Sequence, residues 1–238
     1  MFFCVILAVM FLPPSLNRVN INASTSLEGD AESNPYGITY HMMYTNKKAF
    51  INMTSGTAAM IFMVCFDSIL SLRLKEFNLE DHAIGYVFAV PCLCYAISAS
   101  LVGTICQNMR RHNVTFIAFL FNTMALCVLG PSKMLHLPNN LWVLLVGLAF
   151  MGFAHAFIIV PLVPEIIHAI IDKEGLPDPP PHILNDKVSG LFGFFYAAGC
   201  ITGPILGGAL TDIYSFRVTC DIMAILSLIY SVIFFLNI

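Results

Sequence analysis

The stretch Val188–Asp212, VSGLFGFFYAAGCITGPILGGALTD, decides how the rest of the chain is read. From Val188 to Thr211 it carries no charge, a length that crosses a ~30 Å hydrocarbon core at ~1.5 Å per residue. Gly199, Gly203 and Gly207 recur at every fourth position and so share one helical face. Lipid supplies no hydrophobic force between helices, and close backbone approach over small residues holds them together instead. Pro204 removes one backbone donor, which a membrane helix tolerates where neighbouring protein repairs the gap. With Gly190 upstream and Gly208 downstream, the set reads Gly190, Gly199, Gly203-Pro204, Gly207-Gly208. No strand precedes these glycines and their flanks are apolar, which excludes a soluble dinucleotide loop.

Composition agrees. Of the residues 58% are hydrophobic and only 11% charged, with a mean hydropathy of +0.82, outside the range of soluble domains. A net charge of −3 with 11 Lys and Arg gives no electrostatic footprint for nucleic acid. The eight cysteines lie in apolar runs rather than extracellular loops, which argues against a disulfide framework. Cys92 and Cys94 fall on opposite helix faces and cannot share a metal, so the cysteines read as packing residues. There is no Walker loop, HExxH, serine elbow or zinc-ligand spacing. The chain is expected to be no enzyme and to need neither cofactor nor metal.

Six spans are expected, at 54–72, 83–106, 113–131, 140–164, 188–211 and 218–238. Of the 11 Lys and Arg and 14 Asp and Glu, only Asp67 and Asp221 fall inside them. Residues 1–14 are an apolar run too short to span, read either as a signal peptide or as the tail of a transmembrane helix, with the second preferred for want of a basic n-region. Residues 15–53 read as a polar connecting loop. Toward its end Tyr36, Tyr40 and Tyr44 fall four apart, followed by Lys47 and Lys48. As a helix they would lie at headgroup level with the lysines toward lipid phosphates; as a linker they would be merely solvated. Prolines at 177 and 179–181 make the 165–187 connection a stiff one. Loops 15–53, 107–112 and 165–187 carry more Lys and Arg than the alternate loops, which puts them in the cytoplasm.

The spacing of Gly190, Gly199, Gly203-Pro204 and Gly207-Gly208 resembles the antiporter signature of the major facilitator superfamily, found in drug–proton antiporters and vesicular amine transporters. The order of segments resembles that superfamily's C-terminal half: the end of helix six (1–14), a central loop (15–53) and a six-helix bundle (54–238). The resemblance implies an all-α integral membrane fold and transport of a small molecule by alternating access, with protons as the coupling ion. It also implies a lipid bilayer as surroundings and an N-terminal half or a second copy as partner. The loop from Gly103 to Arg110 and Arg111 resembles the family's short gating loop in degenerate form, with Gln107 where that loop carries an acid. Vesicular amine transporters carry an acidic residue where this chain has Gly193. The reading from a different class is a non-transporting structural or assembly subunit that keeps the fold.

Four side chains are candidates for coupling or binding. Asp67 costs its span ~2.5–3.5 kcal/mol on insertion scales, and an intramembrane carboxylate is by default a proton or substrate site; its alternative is to snorkel or pair with Arg73. His155 is the one histidine of seven inside a span, following Gly147 and Gly152 and preceding Pro161 and Pro164. That helix is expected to be bent or broken, as at the midplane sites of secondary transporters, though His155 could equally be a core histidine held by one neighbour. Tyr95 and Tyr196 are mid-span polar groups on the two helices that line the cavity in the family. Glu165, closing the helix of His155, is a gate or an interfacial anchor.

Overall fold

Close approach over small residues, expected for one helix, turns out to organise most of the bundle. The computed structural model describes residues 37–77, 79–130, 140–177 and 181–237. A short helix α1 (Tyr40–Thr45) leads into six long ones: α2 (Lys47–Lys75), α3 (Asp81–Asn108), α4 (Arg111–Leu129), α5 (Leu141–Glu174), α6 (His182–Ile213) and α7 (Phe216–Asn237). All six are long and apolar enough to cross a membrane. The apolar run at 1–14 and most of the 15–53 loop lie outside the described residues. The first long helix starts at Lys47, inside the stretch read as polar loop, because Asn46 caps it: its Oδ1 accepts the Ala49 N–H at 3.3 Å. At the other end of the bundle's longest helix, Gly175 takes φ +64° and its N–H closes on the Ile171 carbonyl, the left-handed cap that glycine adopts without steric cost.

α6 packs most extensively on α2, α4 on α5 and α7, and α3 on α5. At each principal crossing of α2 with α6, α4 with α5 and α3 with α5, glycine lets one backbone touch another. A Cβ on Gly147 would stand 2.5 Å from the Leu129 backbone, and one on Gly152 would overlap the Pro91 carbonyl. Pro91 has no N–H to give the carbonyl one turn before it, and it is the backbone of Pro91 itself that Gly152 of α5 faces.

The expectation of a bent or broken helix around His155 is corrected in one respect. α5 is assigned as a single helix through Gly147, Gly152, Pro161 and Pro164, with no break. Gly147 and Gly152 are spent on close contacts with α4 and α3, and the prolines are carried within the helical run.

Burial is uneven. In its most apolar stretch α5 is 56% buried, against 17% for α3 and 22% for α6. α5 is the centre of the bundle, while α3 and α6 each keep a broad open face. Cys65 and Cys220 are buried as packing residues should be, but Cys92 is exposed on α3, which corrects the packing reading at that position.

Candidate functional site

The glycine set of α6 divides between two faces. A Cβ on Gly199 would stand 2.6 Å from the Thr57 carbonyl, one on Gly203 3.2 Å from the Cys65 nitrogen, and one on Gly207 would overlap the Cys65 carbonyl. Thr57 Oγ1 donates to the Phe195 carbonyl at 2.8 Å, fastening the same seam. Gly190 and Gly208 meet nothing within 4 Å, nor does Gly193, and Pro204 is only half-buried. Three residues of the set therefore seat α6 on α2, and the others face away from it.

His155 and Tyr95 come together. Their rings lie 5.9 Å apart at 48°, α5 against α3, with the imidazole only 5% exposed. Tyr196, on α6 and 36% exposed, lies within electrostatic reach of Tyr95 and of Cys200. Each of the three side chains stands about 14 residues into its helix, roughly 21 Å from that end. A buried imidazole against one phenol, with the more exposed phenol of Tyr196 near that first ring, groups donors, acceptors and π faces at mid-depth.

Asp67 does not join them. It is exposed on α2, about ten residues and ~15 Å along the helix from Thr57, which touches α6 beside Tyr196. The alternative pairing with Arg73 is not made: Arg73 forms its ion pair with Glu76, one turn beyond, and lies over the Phe77 ring at 5.1 Å. Among the described residues, Asp67 has no ion-pair partner.

The four gating candidates gather only in part. Glu165 Oε1 stands 4.0 Å from His112 Nδ1 at the start of α4, and both Glu165 and Arg111 act electrostatically on Cys106 near the end of α3. Glu165, which the sequence placed at the close of its helix, thus lies within α5 and faces the start of α4 and the last turns of α3. Arg110 is the N-cap residue of α4. Gly103 faces open space. Sequence reasoning passed over His112, although it directly follows the paired arginines. It also passed over two polar staples on α7. Tyr230 Oη lies 3.0 Å from Thr54 Oγ1 and 3.1 Å from Ser55 Oγ; Ser227 Oγ accepts from Asn122 and Thr123 of α4 at 3.2 and 3.1 Å. A lone Tyr or Ser in an apolar helix carries no signal of its partner until the helices are packed. Among the described residues, no three His, Cys, Asp or Glu side chains are grouped as a metal would require.

Comparison with known proteins matches residues 49–238 to the Major Facilitator Superfamily. The MFS-type transporter SLC18B1 of Rattus norvegicus is 33% identical over 174 residues, covering 71% of this chain and 38% of that protein. The Mus musculus and Homo sapiens proteins of the same name are 33% and 32% identical, over 64% and 69% of this chain. The chain thus spans little more than a third of the length of the curated relatives it matches.

Proposed function

The chain belongs to the major facilitator superfamily, and on that premise we propose that it forms one half of a secondary transporter, carrying a small molecule by alternating access with protons as the coupling ion. It is an all-helical, multi-pass integral membrane protein. The observation that carries the proposal is the meeting of Tyr95 and His155, with Tyr196 in reach, at mid-depth on the open α3–α6 side. Secondary transporters bind at the midplane, between repeats that rock against one another. A second six-helix bundle on that side, an N-terminal half or another copy, would close the site.

Asp67 supports the coupling role by its cost. Exposed to lipid, a mid-span carboxylate loses ~2.5–3.5 kcal/mol; such groups face water-filled cavities or protein instead. Its distance from Tyr196 separates proton from substrate, so that titration of one would bias the conformations that bind the other. The loops at 107–112 and 165–187 take the cytoplasmic side in this reading, with Glu165, His112 and Arg111 closing that end.

The test uses an assembly that transports. Asp67→Asn should abolish accumulation against a gradient while exchange at equal concentrations continues, since exchange needs no net proton movement. His155→Gln should weaken substrate affinity more than coupling. Uphill accumulation that survives Asp67→Asn would remove the proton role, and a chain that reaches the membrane, pairs and moves nothing would favour the non-transporting subunit.

A further inference from the structure

Where α1 turns into α2, Asn46 is 5% exposed and does two things. Its Oδ1 caps α2, and its Nδ2 donates to the Ala169 carbonyl of α5 at 2.6 Å. Lys173 Nζ adds a bond to the Thr45 carbonyl at 3.2 Å. The corner is thereby fastened to the end of α5, enclosing a cavity of about 400 Å³ lined chiefly by Thr45, Asn46, Lys47, Lys48, Asp172 and Lys173. Three ammonium groups against one carboxylate leave it net positive.

Two features decide what this cavity takes. First, Lys47 and Lys48 occupy the first turn of α2, which contains no acidic residue. The helix dipole puts partial positive charge at that end, so two cations there repel it and an anion between them relieves both. Second, the flank is aromatic. Tyr40 and Tyr44 are 49% and 46% exposed, and Tyr44, Phe50 and Phe195 form one cluster of tilted and edge-on rings with centroids 6.0–6.3 Å apart. Rings of this kind keep a polar tip among headgroups and an apolar body against acyl chains. Lys47 opens α2 and Lys173 is the last residue but one of α5, both beyond the apolar spans that begin at 54 and end at 164, on the headgroup side of the hydrocarbon.

We infer that the cavity between the α1–α2 corner and the end of α5 binds the phosphate headgroup of an anionic phospholipid, with Lys47, Lys48 and Lys173 as its cations and the Tyr44–Phe50 side against its acyl chains. A soluble phosphate could use the same ammonium groups, but it would make no use of the exposed rings of Tyr44 and Phe50 beside them.

The full chain is purified into nanodiscs of phosphatidylcholine with a minor share of phosphatidylserine, and the phosphatidylserine retained per protein is counted by native mass spectrometry. The wild-type chain should retain phosphatidylserine over phosphatidylcholine. Lys47→Gln with Lys48→Gln should lower that retention about thirtyfold, as loss of two cations near an anionic surface implies, while Lys75→Gln at the opposite end of α2 leaves it unchanged. Asp172→Asn should raise retention, a gain that misfolding cannot produce. Equal losses in the Lys75 variant would reduce the effect to bulk charge. Complete displacement by inorganic phosphate alone would make it a free-anion site, and unchanged retention in the double variant would overturn the assignment.

Discussion

The two faces of α6 carry similar small residues and have opposite fates. On one, Gly199, Gly203 and Gly207 bring the backbone against Thr57–Cys65 of α2 so closely that a methyl group has little or no room. On the other, a Cβ on Gly190, Gly193 or Gly208 would meet nothing within 4 Å among the described residues. α3 repeats the second pattern, with Gly85 and Gly103 both in open space. Small residues on a membrane helix mark where a backbone can be approached, not which backbone approaches it. The lesson is that the glycines of one signature need not share one role: those at every fourth position build the seam inside the bundle, and the rest take no part in it.

Substitution should separate the two faces. Gly207→Leu has the largest expected effect: its first side-chain carbon already overlaps the Cys65 carbonyl, so α6 must leave α2 and the detergent-solubilised bundle should lose its protease resistance and its cooperative thermal transition. Gly193→Leu should leave that transition where it is and instead abolish transport in an assembly with a second half. Equal damage to the fold at both positions would erase the distinction between the faces. A graded case is Gly203→Ala, whose Cβ would sit 3.2 Å from the Cys65 nitrogen; the seam must yield slightly, and thermal denaturation should register a loss of about 1 kcal/mol. The smallest effect belongs to Gly208→Ala, which meets open space and removes a helix-weakening glycine, giving a gain of about 0.5 kcal/mol in the same measurement. A loss there would mean that the open face is packed after all.

Much of the fold was legible before any coordinates. Six long apolar runs, interrupted only by Asp67 and Asp221, announce six helices because a bilayer admits few other solutions, and the interval of four among Gly199, Gly203 and Gly207 announces a tight helix pair. The meeting of Tyr95 with His155 was legible only as two mid-span polar groups. Of the bend or break expected in α5, the break is absent. Gly147 and Gly152 weaken a helix when considered alone, yet in the bundle they are the points where Leu129 and Pro91 press closest, and packing more than offsets the intrinsic cost. The loop reading of residues up to 53 failed at Lys47 because a charged helix start looks like a linker until its cap is seen. Asn46 is that cap, and half of its bonding is to Ala169, far away in sequence.

By itself, the sequence determined the medium, the number of spans and the presence of a close helix seam, since all three follow from local length, charge and period. Tertiary structure alone decided that the seam joins α6 to α2 and that Gly190, Gly193 and Gly208 are left for something else. It also decided that Asp67 stands apart from the tyrosines and His155, and that Lys173 meets the start of α2. Each of these depends on which helices become neighbours, and a one-dimensional pattern of small and polar residues is satisfied equally well by several neighbours until packing selects one.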